Sequence, residues 1–232
     1  MTQPTGIHHI AIMSADIRKH IDFFATVMGC PLVAIFDMHG VPGGLHAFLR
    51  LDHGCYFSIV QLPGAADAPI EIGRTHSGNG AAASAPGTMQ HLAFAVSDES
   101  ALLAMRDRIR SHGINVVGPL NHGFCKSLYF AGPDQLTLEV AVSTKTIDPA
   151  QWIDPATLAA AGISAEEAER FKRPTPYAGP SPVAQPPYDP AKPHQTFPPE
   201  MYKAMLAKPD AEVAAQDAYS HPPVPTPAQQ DA

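Results

Sequence analysis

Apolar positions in the first 143 residues switch between two periods, and the order of the switches occurs twice. Ile7 to Met13 is a short apolar run, which reads as a strand. Asp16 stands where a helix cap belongs, ahead of Ile17, Ile21, Phe24 and Met28, whose spacing predicts a helix over 17–28 that Gly29 ends. Pro31–Phe36, Leu45–Leu51 and Tyr56–Leu62 then read as three strands separated by glycine-bearing turns. The second half gives the same order. His91–Val96 is a strand, and Ser100–Ser111 a helix that can bury Leu102, Leu103, Met105 and Ile109. Gly113 ends it, and Ile114–Val117, Ser127–Phe130 and Leu136–Val142 are strands. Each half is therefore βαβββ.

The duplication also shows in the residues. Gly6-Ile-His-His-Ile-Ala-Ile-Met-Ser-Ala-Asp16 and Gly87-Thr-Met-Gln-His-Leu-Ala-Phe-Ala-Val-Ser-Asp98 each set a His (His9, His91) at the head of an apolar strand. In each an Asp follows that His by 7 positions. The second copy ends in Leu136-Thr-Leu-Glu139-Val-Ala, one carboxylate within an apolar strand. A carboxylate buried without a partner is costly. Two imidazoles from equivalent strands and that carboxylate are a donor set for a metal, whereas an ordinary buried His is the plainer reading of either histidine alone. His8 points to the opposite face from His9.

The pattern predicts an α+β fold of two tandem modules, 6–63 and 89–144, joined by a Gly-, Ala- and Ser-rich loop over 64–88. An extension over 145–232 follows, holding 17 of the 25 prolines. There, Ser164-Ala-Glu-Glu167 is a capping box opening a short helix to about Phe171. Proline is too frequent over Arg173–Pro199 for regular structure, and Glu200–Ala207 and Asp210–Tyr219 are candidate short helices. Trp152, Phe171, Tyr177, Tyr188, Phe197 and Tyr202 favour a tail that packs, on its own body or on a neighbouring subunit, over a solvated one.

Composition narrows the function. A net charge of −7 over 232 residues argues against nucleic acid, which needs clustered Lys and Arg. No run approaches the ~18 apolar residues that a membrane span needs, and the N-terminus lacks the basic and apolar parts of a signal peptide. Cys30, Cys55 and Cys125 are an odd set without CxxC spacing, which fits reduced thiols. A soluble cytoplasmic protein is expected.

The repeat, with His8-His-Ile-Ala-Ile12, His91-Leu-Ala-Phe-Ala-Val96 and Gly132-Pro-Asp-Gln-Leu-Thr-Leu-Glu-Val140, resembles the vicinal oxygen chelate superfamily over residues 6–143. That group includes glyoxalase I, fosfomycin-resistance enzymes, methylmalonyl-CoA epimerase and extradiol ring-cleaving dioxygenases. The resemblance implies two modules paired into a cupped mixed sheet and one divalent metal per chain within the cup. It implies metal ligands at His9, His91 and Glu139. The fourth ligand position of the family falls on Ser58, which is not a usual ligand; Gln61 is the nearby alternative. Two histidines, one carboxylate and open positions are what non-heme Fe(II) oxygenases use, so Fe(II) is expected foremost, with Mn, Zn, Ni or Mg as alternatives.

A closer resemblance is to the extradiol enzymes. His122 follows His91 by 31 positions, within Gly118-Pro-Leu-Asn-His-Gly-Phe-Cys-Lys-Ser-Leu-Tyr129, and His76 precedes His91 by 15. The resemblance implies a small catechol- or hydroquinone-like substrate. His122 would hydrogen-bond substrate or oxygen, Tyr129 would orient it, and His76 would take a proton. Against these roles, His122 can be a loop residue bonded to backbone, His76 an exposed one and Tyr129 a core aromatic. His46 is a further candidate for the cavity face, and Cys55 and Cys125 read as packing residues. The competing functions are a lyase, isomerase or epimerase using the metal as a Lewis acid, and a metal-free binding protein. The missing carboxylate at Ser58 weighs against the first, and the three retained donors against the second. The resemblance also implies a homodimer, and it does not reach the extension.

Overall fold

Both halves close a four-stranded mixed sheet by the same route. In the first, β1 (His9–Met13) leads into α1 (Ile17–Asp22), which continues as a π-helical turn over Phe23–Val27. Strands β2 (Leu32–Asp37), β3 (Leu45–Asp52) and β4 (Cys55–Gln61) follow. The sheet order is β1-β4-β3-β2, with β1 parallel to β4 and the other pairs antiparallel. In the second, β5 (Leu92–Ala95), α2 (Glu99–Ser111), β6 (Val117–Asn121), β7 (Cys125–Ala131) and β8 (Thr137–Ser143) give the order β5-β8-β7-β6. In this computed structural model residues 3–217 and 221–224 are described.

The repeated aspartates are helix caps. An Asp16 carboxylate oxygen accepts from the Arg18 and Lys19 amides at 3.1 and 3.3 Å, and one of Asp98 accepts from the Ala101 amide at 2.8 Å. Those amides, Lys19 for Asp16 and Ala101 for Asp98, hold both carboxyls below the usual carboxylate range. Gln61 is also committed to α1, its side-chain oxygen accepting from the Ile17 amide at 2.6 Å. It is therefore spent on a helix start rather than offered to a ligand.

One strand lies later than its pattern suggests. The sequence places it at Ile114–Val117; the strand is Val117–Asn121 and passes through Gly118-Pro119. Here β6 is an edge strand with an irregular register between Val117 and Leu120, where a proline costs no ladder bond. Gly118 has φ +113°, and a Cβ on it would stand 2.5 Å from the Ser127 carbonyl oxygen, so only glycine fits.

The two sheets share one apolar core. Phe24, wholly buried, packs at a tilt against Phe57 of β4 at 4.1 Å and meets Phe94 of β5 at 6.1 Å between ring centroids. Leu49 and Ile59 of the first sheet and Leu128, Leu138 and Val140 of the second join the same cluster. Removing a ring so placed costs about 3–5 kcal/mol. Arg108 of α2 adds a polar clamp, its guanidinium donating to the Val27 and Thr26 carbonyls at 2.7 and 2.8 Å. Since strand residues alternate in direction, the faces carrying His9 and Glu139 are those turned away from this core.

Both modules belong to one compact unit, Pro4–Lys172, which also holds α3 (Pro149–Trp152), α4 (Pro155–Ala160) and α5 (Ala165–Lys172). The capping box before α5 is present: Glu167 accepts from the Ser164 amide at 3.0 Å, and the Glu167 amide donates to the Ser164 hydroxyl at 3.2 Å. A second unit begins at Arg173 and has no helix or strand before α6 (Pro199–Leu206) and α7 (Asp210–Ala214). Tyr202 gathers Tyr188, His194 and Phe197 around it at 5.6–6.3 Å, so these tail aromatics pack on one another. The helix expected to reach Tyr219 ends at Ala214; Tyr219 itself lies outside the described residues. Among those residues no helix is long and apolar enough to cross a membrane, and the three cysteines are unpaired.

His20 of α1 ties the modules together at a titratable point. It is wholly buried, with its Nδ1 2.7 Å from the Ser14 hydroxyl and its Nε2 without a hydrogen bond. Asp134, on the turn before β8, lies 3.7 Å from that Nε2, too far for a hydrogen bond, so its help to a charged imidazole is Coulombic. Burial wins, and the His20 pKa lies below the ordinary histidine value. The unfolded chain then binds a proton that the fold resists, so His20 lowers stability as pH falls below ~6.5. The Tm should drop between pH 7.5 and 5.5, and His20→Gln should remove part of that drop. An unchanged pH slope in the variant would refute the assignment.

Candidate functional site

Strand register decides which side chains share a face. Ala93 of β5 pairs with Glu139 of β8, which pairs in turn with Tyr129 of β7, so the three point the same way. His91, two residues before Ala93, joins them. Glu139 is 5% exposed, and its carboxylate lies 2.9 Å from His91 Nε2. The other ring nitrogen of His91 is hydrogen-bonded to the Gln90 side-chain oxygen, which fixes the ring. A buried carboxylate facing an imidazole nitrogen already turned toward it is a pair of donors suited to a divalent cation.

This pair opens into a cavity of about 1010 Å³ that His122 and Tyr129 also line. The Tyr129 hydroxyl and His122 Nε2 are 3.1 Å apart. Burial, reinforced by the Glu139 charge, holds the Tyr129 phenol above its ordinary pKa, so it stays protonated. Gly80 of the inter-module loop packs on the same ring, where a Cβ would come within 3.1 Å. His76 of that loop is not part of the cavity lining; its Nδ1 is 2.9 Å from the neighbouring Thr75 hydroxyl.

Module one carries the corresponding face on its own sheet. Ala11 pairs with Ser58, and Phe48 with Ser58, so Ser58 stands in module one where Glu139 stands in module two, and Phe48 where Tyr129 stands. Ser58 is wholly buried and its hydroxyl is 2.6 Å from His46 Nε2. Burial, and then the neighbouring His9, lower the His46 pKa. His9 is exposed at the strand head, 5.8 Å from the Phe48 ring and 2.9 Å from His8 through their Nδ1 atoms.

The expected triad is thus divided. His91 and Glu139 meet; His9 stands on the outer face of the other sheet. Among the described residues no three His, Cys, Asp or Glu gather as a metal would need within one chain. The expected cup is present as two half-cups, because the modules bury their helix-side faces against each other. Sequence reasoning missed Lys145 and Trp152, both lining the cavity from beyond β8. The signal available was the chain's one tryptophan, placed shortly after the last apolar strand.

A family model described as Glyoxalase/Bleomycin resistance protein/Dioxygenase superfamily matches residues 6–140. No curated protein matches the chain. Among solved structures, a glyoxylase/bleomycin resistance protein/dioxygenase domain from Frankia sp. EAN1pec is 13% identical, with a TM-score of 0.50, over 62% of this chain and 96% of that one. The fosfomycin resistance protein FosX from Listeria monocytogenes, complexed with Mn(II) and sulfate, is 18% identical over 61% and 95%, with a TM-score of 0.42. TnmS3, an antibiotic binding protein from Streptomyces sp. CB03234, is 20% identical over 62% and 100%, with a TM-score of 0.42.

A carboxylate kept for binding rather than for folding should be dispensable to stability. Burying a carboxylate is costly, and His91, whose side chain is 33% exposed, can be hydrated once its partner is gone. Glu139→Leu should leave the Tm of metal-free protein unchanged or raised while abolishing divalent-metal binding. A loss of more than about 1 kcal/mol in the metal-free state would instead make Glu139 a structural residue.

Proposed function

From the premise that this chain belongs to the Glyoxalase/Bleomycin resistance protein/Dioxygenase superfamily, we propose that it is a metal-dependent, ring-cleaving dioxygenase. Its substrate would be a small catechol- or hydroquinone-like molecule. The observation that carries this reading is the His91–Glu139 pair, 2.9 Å apart, in one cavity with the His122–Tyr129 pair. A divalent metal, Fe(II) foremost, would be held by His91, Glu139 and a His9 contributed by a second copy, and would supply open positions for substrate oxygens and O2.

A second copy is supported by the free edges of the sheets. β1 and β5 each have a strand partner on one side only, and Met13 of β1 is 53% exposed. Pairing β1 of one copy beside β5 of another would bring His9 over the face that holds Glu139. Each site would then draw on both chains, in a closed dimer.

The remaining roles belong to the chain itself. With its Nδ1 protonated, the His122 imidazole accepts a hydrogen bond from the Tyr129 hydroxyl at Nε2; after reorientation the same nitrogen can take a proton from a substrate hydroxyl. Tyr129, kept neutral, donates to a substrate or oxygen atom rather than repelling an anionic one. Apolar Ala93, Ala141 and Phe124 give part of the cavity a surface suited to a ring. The Lewis-acid lyase or isomerase reading would want a second carboxylate at the position that Ser58 holds, and that position is a buried hydroxyl bonded to His46.

Two measurements test this. Anaerobically purified protein should hold about one iron per chain and take up O2 with catechols, and His91→Ala and Glu139→Ala should each abolish uptake. Zinc, nickel or magnesium without uptake would favour the lyase or isomerase. Co-expressing His9→Ala with Glu139→Ala chains should restore about a quarter of wild-type metal and activity. Half the dimers are then mixed, and one of the two sites in each is intact. No recovery would refute a site divided between copies.

A further inference from the structure

The family match ends at residue 140, yet one wall of the cavity is built beyond it, by Thr144, Lys145, Thr146, Ile147 and Trp152. This wall is held in place by the β6–β7 turn. The Thr144 amide donates to the Phe124 carbonyl at 2.9 Å, and its hydroxyl to the Gly123 carbonyl at 3.2 Å. Asp148 then caps α3, accepting from the Ala150 amide at 3.0 Å, and that single helical turn ends on Trp152. The indole is seated closely. A Cβ on Gly123 would stand 2.9 Å from its Cη2, and the Phe124 ring meets it edge-on at 5.0 Å. Its remaining surface is open, 42% of the residue.

A large aromatic side chain pinned along one side and open on the other is a ready platform for a second ring. Lys145 places a cation in the same lining. The one carboxylate there, Glu139, already faces His91, so it does not oppose an incoming anion freely. The neighbouring Thr146 hydroxyl adds a donor.

We propose that this wall selects the substrate class: a small aromatic ring carrying an anionic substituent, with its ring on Trp152 and its charge toward Lys145. The inference rests on the cavity being the substrate site, and it adds a specificity that residues 6–140 do not carry. Lys145 and Trp152 act in binding, while proton and oxygen chemistry stays with the residues deeper in the cavity.

Trp152 is the chain's one tryptophan, so its emission reports the cavity directly. The full chain, as purified and again after chelation, would be titrated with 3,4-dihydroxybenzoate, benzoate and catechol. Saturable quenching should be at least about tenfold tighter for the two carboxylates than for catechol. Lys145→Ala, an exposed substitution that leaves the core intact, should erase the preference, and Lys145→Arg should keep it. By calorimetry, Trp152→Ala should weaken 3,4-dihydroxybenzoate about tenfold and Trp152→Phe by less. Equal affinities for benzoate and catechol, a preference that survives Lys145→Ala, or no quenching by any of the three would overturn the proposal. Because binding is read without turnover, carboxylate selectivity without O2 uptake would sink the dioxygenase reading alone. Uptake indifferent to the carboxylate would sink this one alone.

Discussion

The Phe24 ring, wedged between Phe57 of one sheet and Phe94 of the other, sets the terms for the rest of the molecule. A βαβββ module is too small to bury both faces of its own sheet, so each must cover its helix side against something. Here each covers it against the other, in one continuous core. The opposite faces, with their histidines, glutamate, serine and tyrosine, are thereby left looking outward. Glu139 and Ser58 are nonetheless buried there, and His91 and His46 partner them, which offsets the cost. Folding stability and chemistry are thus assigned to opposite sides of the same strands.

Much of this was legible in the sequence. The order of elements in each module, the Asp16 cap and the capping box before α5 followed from local spacing, and all are present. Edge-strand chemistry was less readable. Gly118-Pro119 looks like a turn in one dimension, and only the position of β6 at the rim of its sheet makes it a tolerable part of a strand. The tail aromatics predict packing on the body or on a neighbouring subunit; Tyr188, His194, Phe197 and Tyr202 supply partners for one another.

The site was legible in part, and the missing part has a physical cause. His91 and Glu139 are brought together because neighbouring strands of one sheet fix them, through the Ala93–Glu139 pairing. His9 is equivalent to His91 by repeat, but equivalence within a module says nothing about how modules face each other. That choice is made by packing between side chains far apart in the sequence, which no local pattern encodes. Likewise, the family resemblance picks Ser58 as the counterpart of Glu139, and the strand register agrees. That its hydroxyl is taken up by His46 emerges only in three dimensions.

The division of donors between outward faces also bears on how such a protein answers to its own abundance. On the proposed division of the site, a chain alone at high dilution would carry two donors and a half-open cup. Where a neighbour supplies the rest, the competent species is set by mass action, and its fraction climbs with protein concentration until the chains are saturated with one another. The protein level at which chains meet then becomes a threshold for function, and a change on the free edge of β1 or β5 could move that threshold without touching any residue in the cavity.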